Sequence, residues 1–160
     1  MKYLISVVCI IFLFTSCISI PNGYAEVNRT YQIGDTGPAG GIVFLDRGDY
    51  SKGWRYLEAA PPIFEFEANW NNAIEMAKML NVNGFTDWRL PDRYELNFMY
   101  VNLKQKDLGG FGNGIYWSST EEGRFVTLVI YQMFGNGVVL GADRLGRGLV
   151  SHKVRAVRQF

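Results

Sequence analysis

The sequence predicts an α+β fold, because its apolar patterns follow one another as strands, two helices and then several more strands. Residues 70–80 have apolar side chains at helical spacing. Short apolar runs typical of strands lie at residues 115–118, 125–131, 137–140 and 150–157. The composition, with 48% hydrophobic and 15% aromatic residues among 160, excludes a disordered chain. We expect two helices packed against a small, mainly antiparallel sheet.

The start of the chain predicts an export signal. A positive charge precedes an apolar run at residues 3–14 (YLISVVCIIFLF), which is shorter than the about 20 residues needed to cross a bilayer. Residues 14–17 (FTSC) resemble a bacterial lipobox, whose cysteine receives lipid and becomes the mature N-terminus. This resemblance implies a signal peptide at residues 1–16 and lipidation of Cys17. Ordinary secretory cleavage after Ala25 is the alternative.

The mature chain is predicted to be a tether at residues 17–30 and one domain at residues 31–160. The tether is mostly polar, contains proline and glycine, and has no hydrophobic period. Cys9 leaves with the signal and Cys17 carries the lipid, so the domain has neither a thiol nor a disulfide. With one histidine in the chain, a Cys/His zinc site is excluded, and a net charge of +1 gives no field that attracts nucleic acid. We expect no metal and no cofactor.

The domain is predicted to begin with a β-hairpin followed by a helix. Strands at residues 41–45 and 54–58 flank a turn-rich stretch. Asn69 can cap the first helix, which is expected to end near Gly84, because glycine is common just past a helix C-terminus. Its buried face is predicted to comprise Trp70, Ala73, Ile74, Ala77 and Leu80.

A second helix is predicted to begin after Pro91. Asp92 and Glu95 have the spacing of a capping box, and a glycine cluster at residues 109–112 ends the helical pattern. Its buried face is predicted to comprise Leu96, Met99, Tyr100 and Leu103. Among the later strands, residues 125–131 are apolar almost throughout, which predicts a central strand buried on both faces.

Four motifs, in this order, resemble the Lcl C-terminal domain family, a domain of unknown function. They are residues 31–44 (YQIGDTGPAGGIVF), residues 84–91 (GFTDWRLP) with Glu95-Leu96 after them, residues 116–121 (YWSSTE) and residues 154–158 (VRAVR). The resemblance covers residues 31–160 and implies a C-type lectin-like fold of the formylglycine-generating-enzyme type. It also implies an exported bacterial protein concerned with surface adhesion and glycan binding. The family offers no catalytic residues to carry over.

The second of these motifs has two interpretations. In the structural one, Trp88 and Leu90 fill the core, while Asp87 and Arg89 brace neighbouring loops through charge-assisted hydrogen bonds. In the functional one, Asp87 and Trp88 form a platform for a ligand. The structural interpretation is favoured, because buried aromatic side chains dominate core energetics.

The third motif provides an aromatic ligand candidate. Strand alternation is expected to place Trp117 in the core and Tyr116 outside, where the Tyr116 ring could stack on a sugar. Ser118 is a poor nucleophile candidate, because it would need a base and His152 is the only histidine. We expect His152 to be a structural residue on one face of a strand.

Metal-dependent sugar binding and catalysis are both disfavoured. The chain has no acidic cluster of calcium-loop spacing, and Glu65 and Glu67 are expected on the solvated surface. It also lacks the tripeptides with which calcium-dependent C-type lectins hold sugars. A hydrolase that uses two carboxylates stays a third alternative, because the separation of acidic side chains is invisible in a sequence. We predict that the protein is not an enzyme.

The C-terminal part of the chain has the strongest charge bias. From residue 124 to the end, six basic residues (Arg124, Arg144, Arg147, Lys153, Arg155 and Arg158) face one acidic residue, Asp143. One hypothesis is that this C-terminal part as a whole presents a basic surface that binds anionic glycans through its arginines, with Arg124, Arg144 and Arg147 as ligand candidates. The other is that Arg155 and Arg158 brace the fold from the terminal strand. The two hypotheses stay open together.

The sequence therefore predicts a non-catalytic recognition domain that is exported and lipid-anchored in the bacterial cell envelope, at the outer membrane or the cell surface. Its expected partner is an anionic glycan or a surface or matrix protein, bound without calcium. It is expected to contact the membrane through its N-terminal lipid. The alternative is a protein–protein assembly module of the envelope.

Overall fold

The fold is taken from a computed structural model, which describes residues 29–124, 127–143 and 148–160. The predicted signal peptide, Cys17 and the cleavage site at Ala25 lie outside these ranges. The described residues contain two α-helices and eight β-strands, so the predicted α+β class is confirmed. In these ranges no helix is long and apolar enough to cross a bilayer.

The strands of the described residues form two sheets where the sequence predicted one. The first sheet consists of β1 (Ile42–Asp46), β2 (Tyr56–Ala59) and β8 (Val157–Gln159), paired antiparallel in that order. The second consists of β3 (Phe66–Ala68), β4 (Ile115–Glu122), β5 (Leu128–Met133), β6 (Val139–Ala142) and β7 (His152–Val154). Its order is β3-β7-β4-β5-β6, and only the β4–β7 pair is parallel. The predicted hairpin is the β1–β2 pair.

The predicted strand at residues 150–157 is divided between the two sheets. β7 ends at Val154 in the five-stranded sheet, and β8 begins at Val157 in the three-stranded sheet. Between them the Arg155 side chain turns into the interior, and the carbonyl of Ala156 accepts the N–H of Ala60 at 2.8 Å. The chain thus crosses from one sheet to the other over two residues.

The predicted central strand is confirmed over the part that is described. β5 lies between β4 and β6, and residues 125 and 126 fall outside the described ranges. Val129 and Ile130 are neighbours on β5, so their side chains point to opposite faces, and both are buried. The sheet is therefore covered on both sides at this strand.

Helix α1 (Trp70–Lys78) begins at the predicted cap. The side chain of Asn69 accepts the backbone N–H of Asn72 at 3.0 Å. Three residues of the predicted apolar face are buried and two are partly buried: Trp70, Ala73 and Ala77, then Ile74 and Leu80. This face packs against β3, β4 and β7.

The predicted end of α1 was wrong. The helix ends at Lys78, with Met79 as its C-cap, six residues before Gly84. Asn83 and Gly84 have φ angles of 52° and 86° and form a tight turn, in which Val82 and Phe85 exchange backbone hydrogen bonds. The left-handed residues that suggested a helix C-terminus belong to this turn.

Helix α2 (Arg93–Asn102) begins with the predicted capping box. Asp92 accepts the backbone N–H groups of Tyr94 and Glu95, and the Glu95 carboxylate accepts the N–H of Asp92. Leu96, Met99 and Leu103 are buried and Tyr100 is half-buried, as the pattern predicted. The helix packs on β1 of one sheet and on β4 and β5 of the other.

Candidate functional site

The glycine-rich motif at residues 31–44 folds around the carboxylate of Glu58. This side chain, on β2, accepts the backbone N–H groups of Ala39 at 3.2 Å and Gly41 at 3.0 Å. A Cβ atom on Gly41 would lie 2.4 Å from the carbonyl oxygen of Ala59, so only glycine fits there. The motif is therefore explained by close packing of its backbone on Glu58.

Glu58 is bound in turn by the terminal strand. Nη1 of Arg158 donates to the Glu58 carboxylate at 2.6 Å, and Nε of Arg158 donates to Asp87 at 2.7 Å. Burial raises the pKa of Glu58, and the hydrogen bonds from Arg158 and the Ala39 N–H oppose that rise only in part. One arginine thus connects three of the sequence motifs.

A second ion-pair network surrounds Glu65, which was wrongly expected on the solvated surface. Its carboxylate accepts hydrogen bonds from Arg155 at 2.6 Å and from Lys153 at 2.8 Å, and only 14% of the side chain is exposed. The Tyr116 hydroxyl donates to the same carboxylate at 3.0 Å. Burial by itself raises the pKa of Glu65, but the hydrogen bonds from Lys153 and Arg155 outweigh it, so the pKa is lowered.

These two networks confirm that the terminal arginines brace the fold. Arg155 also donates to the carbonyl oxygens of Ala60 and Gly109, and its side chain has no exposed surface. Asp87 braces through Arg158, as predicted. Arg89 pairs with Glu95 through two hydrogen bonds of 2.6 Å. The predicted core positions of Trp88 and Leu90 are also confirmed, because both are buried.

The expected outward position of Tyr116 was wrong. The residue is fully buried, with its ring centroid 4.2 Å from that of Phe134 and 5.7 Å from that of Phe111. Alternation does place Trp117 on the opposite face, but α1 covers that face and α2 covers the face of Tyr116. Burial, with Glu65 nearby, raises the pKa of Tyr116 above its ordinary range. Tyr116 offers no ring face to a ligand in this structure.

Ser118 and His152 are both held in structural contacts. The buried Ser118 hydroxyl donates to the carbonyl oxygen of Ile130 at 2.8 Å. The ring centroid of His152 lies 4.3 Å from that of Trp117 and 5.4 Å from that of Tyr131. Burial lowers the pKa of His152. Across the described ranges, no three His, Cys, Asp or Glu side chains gather into a group that could hold a metal ion.

One end of the five-stranded sheet gathers exposed charged and aromatic side chains. Glu122 at the end of β4 pairs with Leu128, and Val129 pairs with Ala142 at the end of β6. These pairs place the β4–β5 turn and the end of β6 together. Arg124 lies in that turn and is exposed.

The start of α2 lies at the same end of the sheet. The backbone N–H of Arg93 donates to the Thr120 hydroxyl at 3.0 Å, and the Arg93 guanidinium is hydrogen-bonded to Glu122. The next residue, Tyr94, is 68% exposed, and the Arg93 guanidinium carbon lies 5.4 Å from its ring centroid. We call Arg93, Tyr94, Glu122 and Arg124 the sheet-end surface.

The other two predicted arginine ligands follow the end of β6 in the sequence. β6 ends at Ala142, Asp143 follows it, and Arg144 and Arg147 come next in the chain. Arg144 and Arg147 lie outside the described residues. Of the four predicted ligand residues, the structure therefore places Arg124 on the surface and Tyr116 in the core.

Sequence reasoning missed Tyr94 as an exposed aromatic residue. The signal was present, because a helix that buries Leu96, Met99 and Leu103 turns positions 94, 98 and 101 outward. Tyr94, Phe98 and Val101 are indeed exposed along this stripe. The stripe lies outside the four sequence motifs, so no motif points to it.

The fold and the internal ion pairs define a class of protein: an α+β domain in which charged residues of the sequence motifs brace the fold from within. The chain belongs to the Lcl C-terminal domain family, whose model matches residues 49–158. The function of this family is unknown. The match includes the motifs at residues 84–91, 116–121 and 154–158, and the glycine-rich motif lies before it. No curated protein matches the chain significantly.

Proposed function

We propose that this chain is a non-catalytic recognition domain of the bacterial cell envelope, exported and anchored by lipid on Cys17, with a C-type lectin-like fold. It binds an anionic glycan, alone or as part of a matrix protein, without calcium. The observation that supports this proposal is the sheet-end surface, where Arg124 and Tyr94 are exposed together.

The chemistry of the sheet-end surface suits a charged sugar. An aromatic ring offers an apolar face for the C–H face of a sugar ring, and the Tyr94 hydroxyl can bond to its hydroxyl groups. A guanidinium binds sulfate or carboxylate oxygens with two parallel hydrogen bonds. Arg93 already binds Glu122, so we assign the ligand contacts to Arg124 and to Arg144 and Arg147, which lie later in the sequence.

The distribution of charge supports the same assignment. Lys153, Arg155 and Arg158 are bound to carboxylates within the domain. The positive charge that the C-terminal part of the chain can offer to a ligand is therefore carried by Arg124, Arg144 and Arg147. Binding through these arginines should weaken as salt is raised, because salt screens charge–charge attraction at a protein surface.

The test is retention of the purified protein on immobilised heparin and on a glycan array, at low and high salt, with and without chelator. We expect retention that falls with salt and does not change with chelator. Arg124→Glu, and separately the double variant Arg144→Glu/Arg147→Glu, should reduce retention. Lys106→Glu is the matched control, since Lys106 is exposed just beyond the other end of α2. Unchanged retention in both charge-reversal variants would contradict the proposal.

The aromatic contact has its own control. Tyr94→Ala should weaken binding to the glycans that the array identifies. Phe98→Ala removes the next exposed aromatic side chain on the same face of α2, one turn away, and should not. Equal effects of the two variants would indicate that the helix face, rather than the sheet-end surface, makes the contact.

The second candidate function is an envelope assembly module, and the exposed stripe of α2 favours it. Tyr94, Phe98 and Val101 form an apolar row that a partner protein could cover. In that case Phe98→Ala and Val101→Ser would abolish capture of a defined envelope protein, and heparin retention would not change.

A further inference from the structure

The connection between β1 and β2 carries the tripeptide Arg-Gly-Asp at residues 47–49. Gly48 and Asp49 are exposed and Arg47 is half-buried. Gly48 has a φ angle of 89°, and no atom lies within 4 Å of the position that its Cβ would take. The backbone conformation therefore favours glycine here, while the space around it is open to a partner.

The base of this loop is held by a pair of charged residues. Arg55 donates two hydrogen bonds to the Asp46 carboxylate, at 2.7 and 2.8 Å. The same carboxylate accepts the backbone N–H of Gly48 at 2.7 Å. The entry to the tripeptide is thus fixed before any partner arrives, which lowers the entropy lost on binding.

The two charged side chains of the tripeptide are also oriented. One oxygen of the Asp49 carboxylate accepts the N–H of Ser51 at 2.8 Å, and hydrogen bonding from the Ser51 side chain, with this backbone contact, lowers the pKa of Asp49. The guanidinium carbon of Arg47 lies 4.5 Å from the ring centroid of Trp54, and Nη1 donates to the Trp54 carbonyl at 3.4 Å. A carboxylate has several acceptor sites and a guanidinium has five donors, so both groups keep capacity for a partner.

We propose that residues 47–49 are a recognition site for a metal-dependent adhesion receptor of the integrin type. In such a complex a divalent cation held by the receptor accepts the Asp49 carboxylate as an oxygen ligand. Carboxylates of the receptor bind the Arg47 guanidinium through paired hydrogen bonds. The site is separate from the sheet-end surface and rests on the proposed function only in requiring that the domain be displayed outside the cell.

The charges of the loop favour this partner over an anionic glycan. Asp49 is exposed between Arg47 and Lys52, so the loop presents both signs of charge, whereas a sulfated chain would complement only the cations. A receptor that supplies a cation on one side and acidic groups on the other complements both ends of the tripeptide.

The experiment measures binding of the purified full chain to an integrin ectodomain that binds the free peptide Gly-Arg-Gly-Asp-Ser. We expect binding in Mg²⁺ that is lost in EDTA and displaced by the peptide. Asp49→Glu keeps the charge but moves the carboxylate by one methylene, and should weaken binding by about tenfold or more. Lys52→Ala, in the same loop, is the matched control and should leave binding unchanged.

Two further measurements separate this site from the glycan site. Asp49→Glu should keep its heparin retention and its thermal unfolding midpoint, whereas Arg124→Glu should lose retention and keep receptor binding. Equal binding by the parent protein and Asp49→Glu would overturn the proposal. So would binding that survives EDTA, or no binding by the parent protein to a receptor that takes the free peptide.

Discussion

The Arg158 guanidinium lies 2.6 Å from the Glu58 carboxylate, and these side chains expose only 7% and 0% of their surface. The pair connects β8 to β2, two neighbouring strands whose residues are 100 positions apart in sequence. Glu58 also holds the backbone of the glycine-rich motif, and Arg158 also binds Asp87. The Glu58–Arg158 pair therefore links the glycine-rich motif near the start of the domain to its last strand. Through Asp87, Arg158 also links this strand to the motif at residues 84–91.

The first prediction concerns removal of the cation from this pair. Arg158→Met should lower the free energy of unfolding by about 3–5 kcal/mol, because it leaves the Glu58 carboxylate buried without its partner. Urea denaturation followed by tryptophan fluorescence measures the change. The double variant Glu58→Gln/Arg158→Met should recover part of the loss, since the charge that was left uncompensated is gone.

The control for this prediction is an exposed ion pair. Lys78→Met breaks the Lys78–Glu75 contact on α1, in which both side chains are more than half exposed. It should change the free energy of unfolding little, because exposed pairs are weak. A loss in Arg158→Met no larger than that in Lys78→Met would mean that Glu58 is relieved by protonation or by water.

The second prediction concerns the glycines of the motif at residues 31–44. Gly41→Ala should destabilise the domain by about 1–3 kcal/mol, because the added methyl group would overlap the Ala59 carbonyl oxygen and approach Glu58. Gly112→Ala is the matched control, since no atom lies within 4 Å of its Cβ position. That variant should be neutral or slightly stabilising. Similar losses in both variants would contradict the steric explanation.

The sequence predicted best the features that depend on neighbouring residues. The caps at Asn69 and Asp92 were found because each side chain bonds to a backbone N–H two or three residues away. The buried faces of both helices followed from spacing alone. The end of α1 was misplaced because the turn at Asn83 and Gly84 depends on contacts beyond the helix, such as the Asn83 side chain bonding to the Ala39 carbonyl at 3.0 Å.

Features that depend on distant contacts were not predictable in the same way. The Glu65 carboxylate accepts a hydrogen bond from Arg155, which lies 90 residues later in the sequence, and no local sequence pattern predicts that pair. Tyr116 is buried because α2 covers its face of the sheet, a fact of tertiary packing that strand alternation does not contain. Arg124 was a ligand candidate only through the charge bias of the C-terminal part, and the structure shows it exposed. Tyr94 could have been predicted to be exposed from the positions that α2 does not bury.

The third prediction uses the only histidine in the chain. The pKa of His152 should lie below 6.5 in the folded protein, because burial disfavours its charged form. The unfolded chain then binds the proton more tightly, so stability from this group is complete above pH 6.5 and is lost as pH falls through the folded pKa. NMR titration of the single imidazole measures this pKa directly in a protein without a histidine tag.

A stability measurement tests the same point independently. In His152→Gln, the free energy of unfolding should fall less between pH 7 and about pH 5 than in the parent protein. Tyr131→Phe is a suitable control, since it keeps both His152 and the ring that packs on it. A titration midpoint at or above 6.5 would contradict the prediction.

The fourth prediction concerns Glu65 at lower pH. The pKa of this carboxyl is lowered from 4.5 in the folded state, where Lys153 and Arg155 bind its charged form against the cost of burial. For an acid with a lowered folded pKa, the stability it contributes is present above pH 4.5 and is lost as pH falls through that value to the folded pKa. The parent protein should therefore lose stability as the pH falls below 4.5, the pKa of the group in the unfolded chain.

Glu65→Gln should be less stable than the parent protein at pH 7, because Arg155 is buried and loses its anion. Its free energy of unfolding should nevertheless fall less steeply below pH 5, so the two curves converge in acid. Glu67→Gln is the control: Glu67 lies on β3, two residues after Glu65, with 62% of its side chain exposed, and reaches Lys153 only at 3.8 Å. Its curve should run parallel to that of the parent protein. Parallel curves for Glu65→Gln would mean that the Glu65 network does not govern acid unfolding.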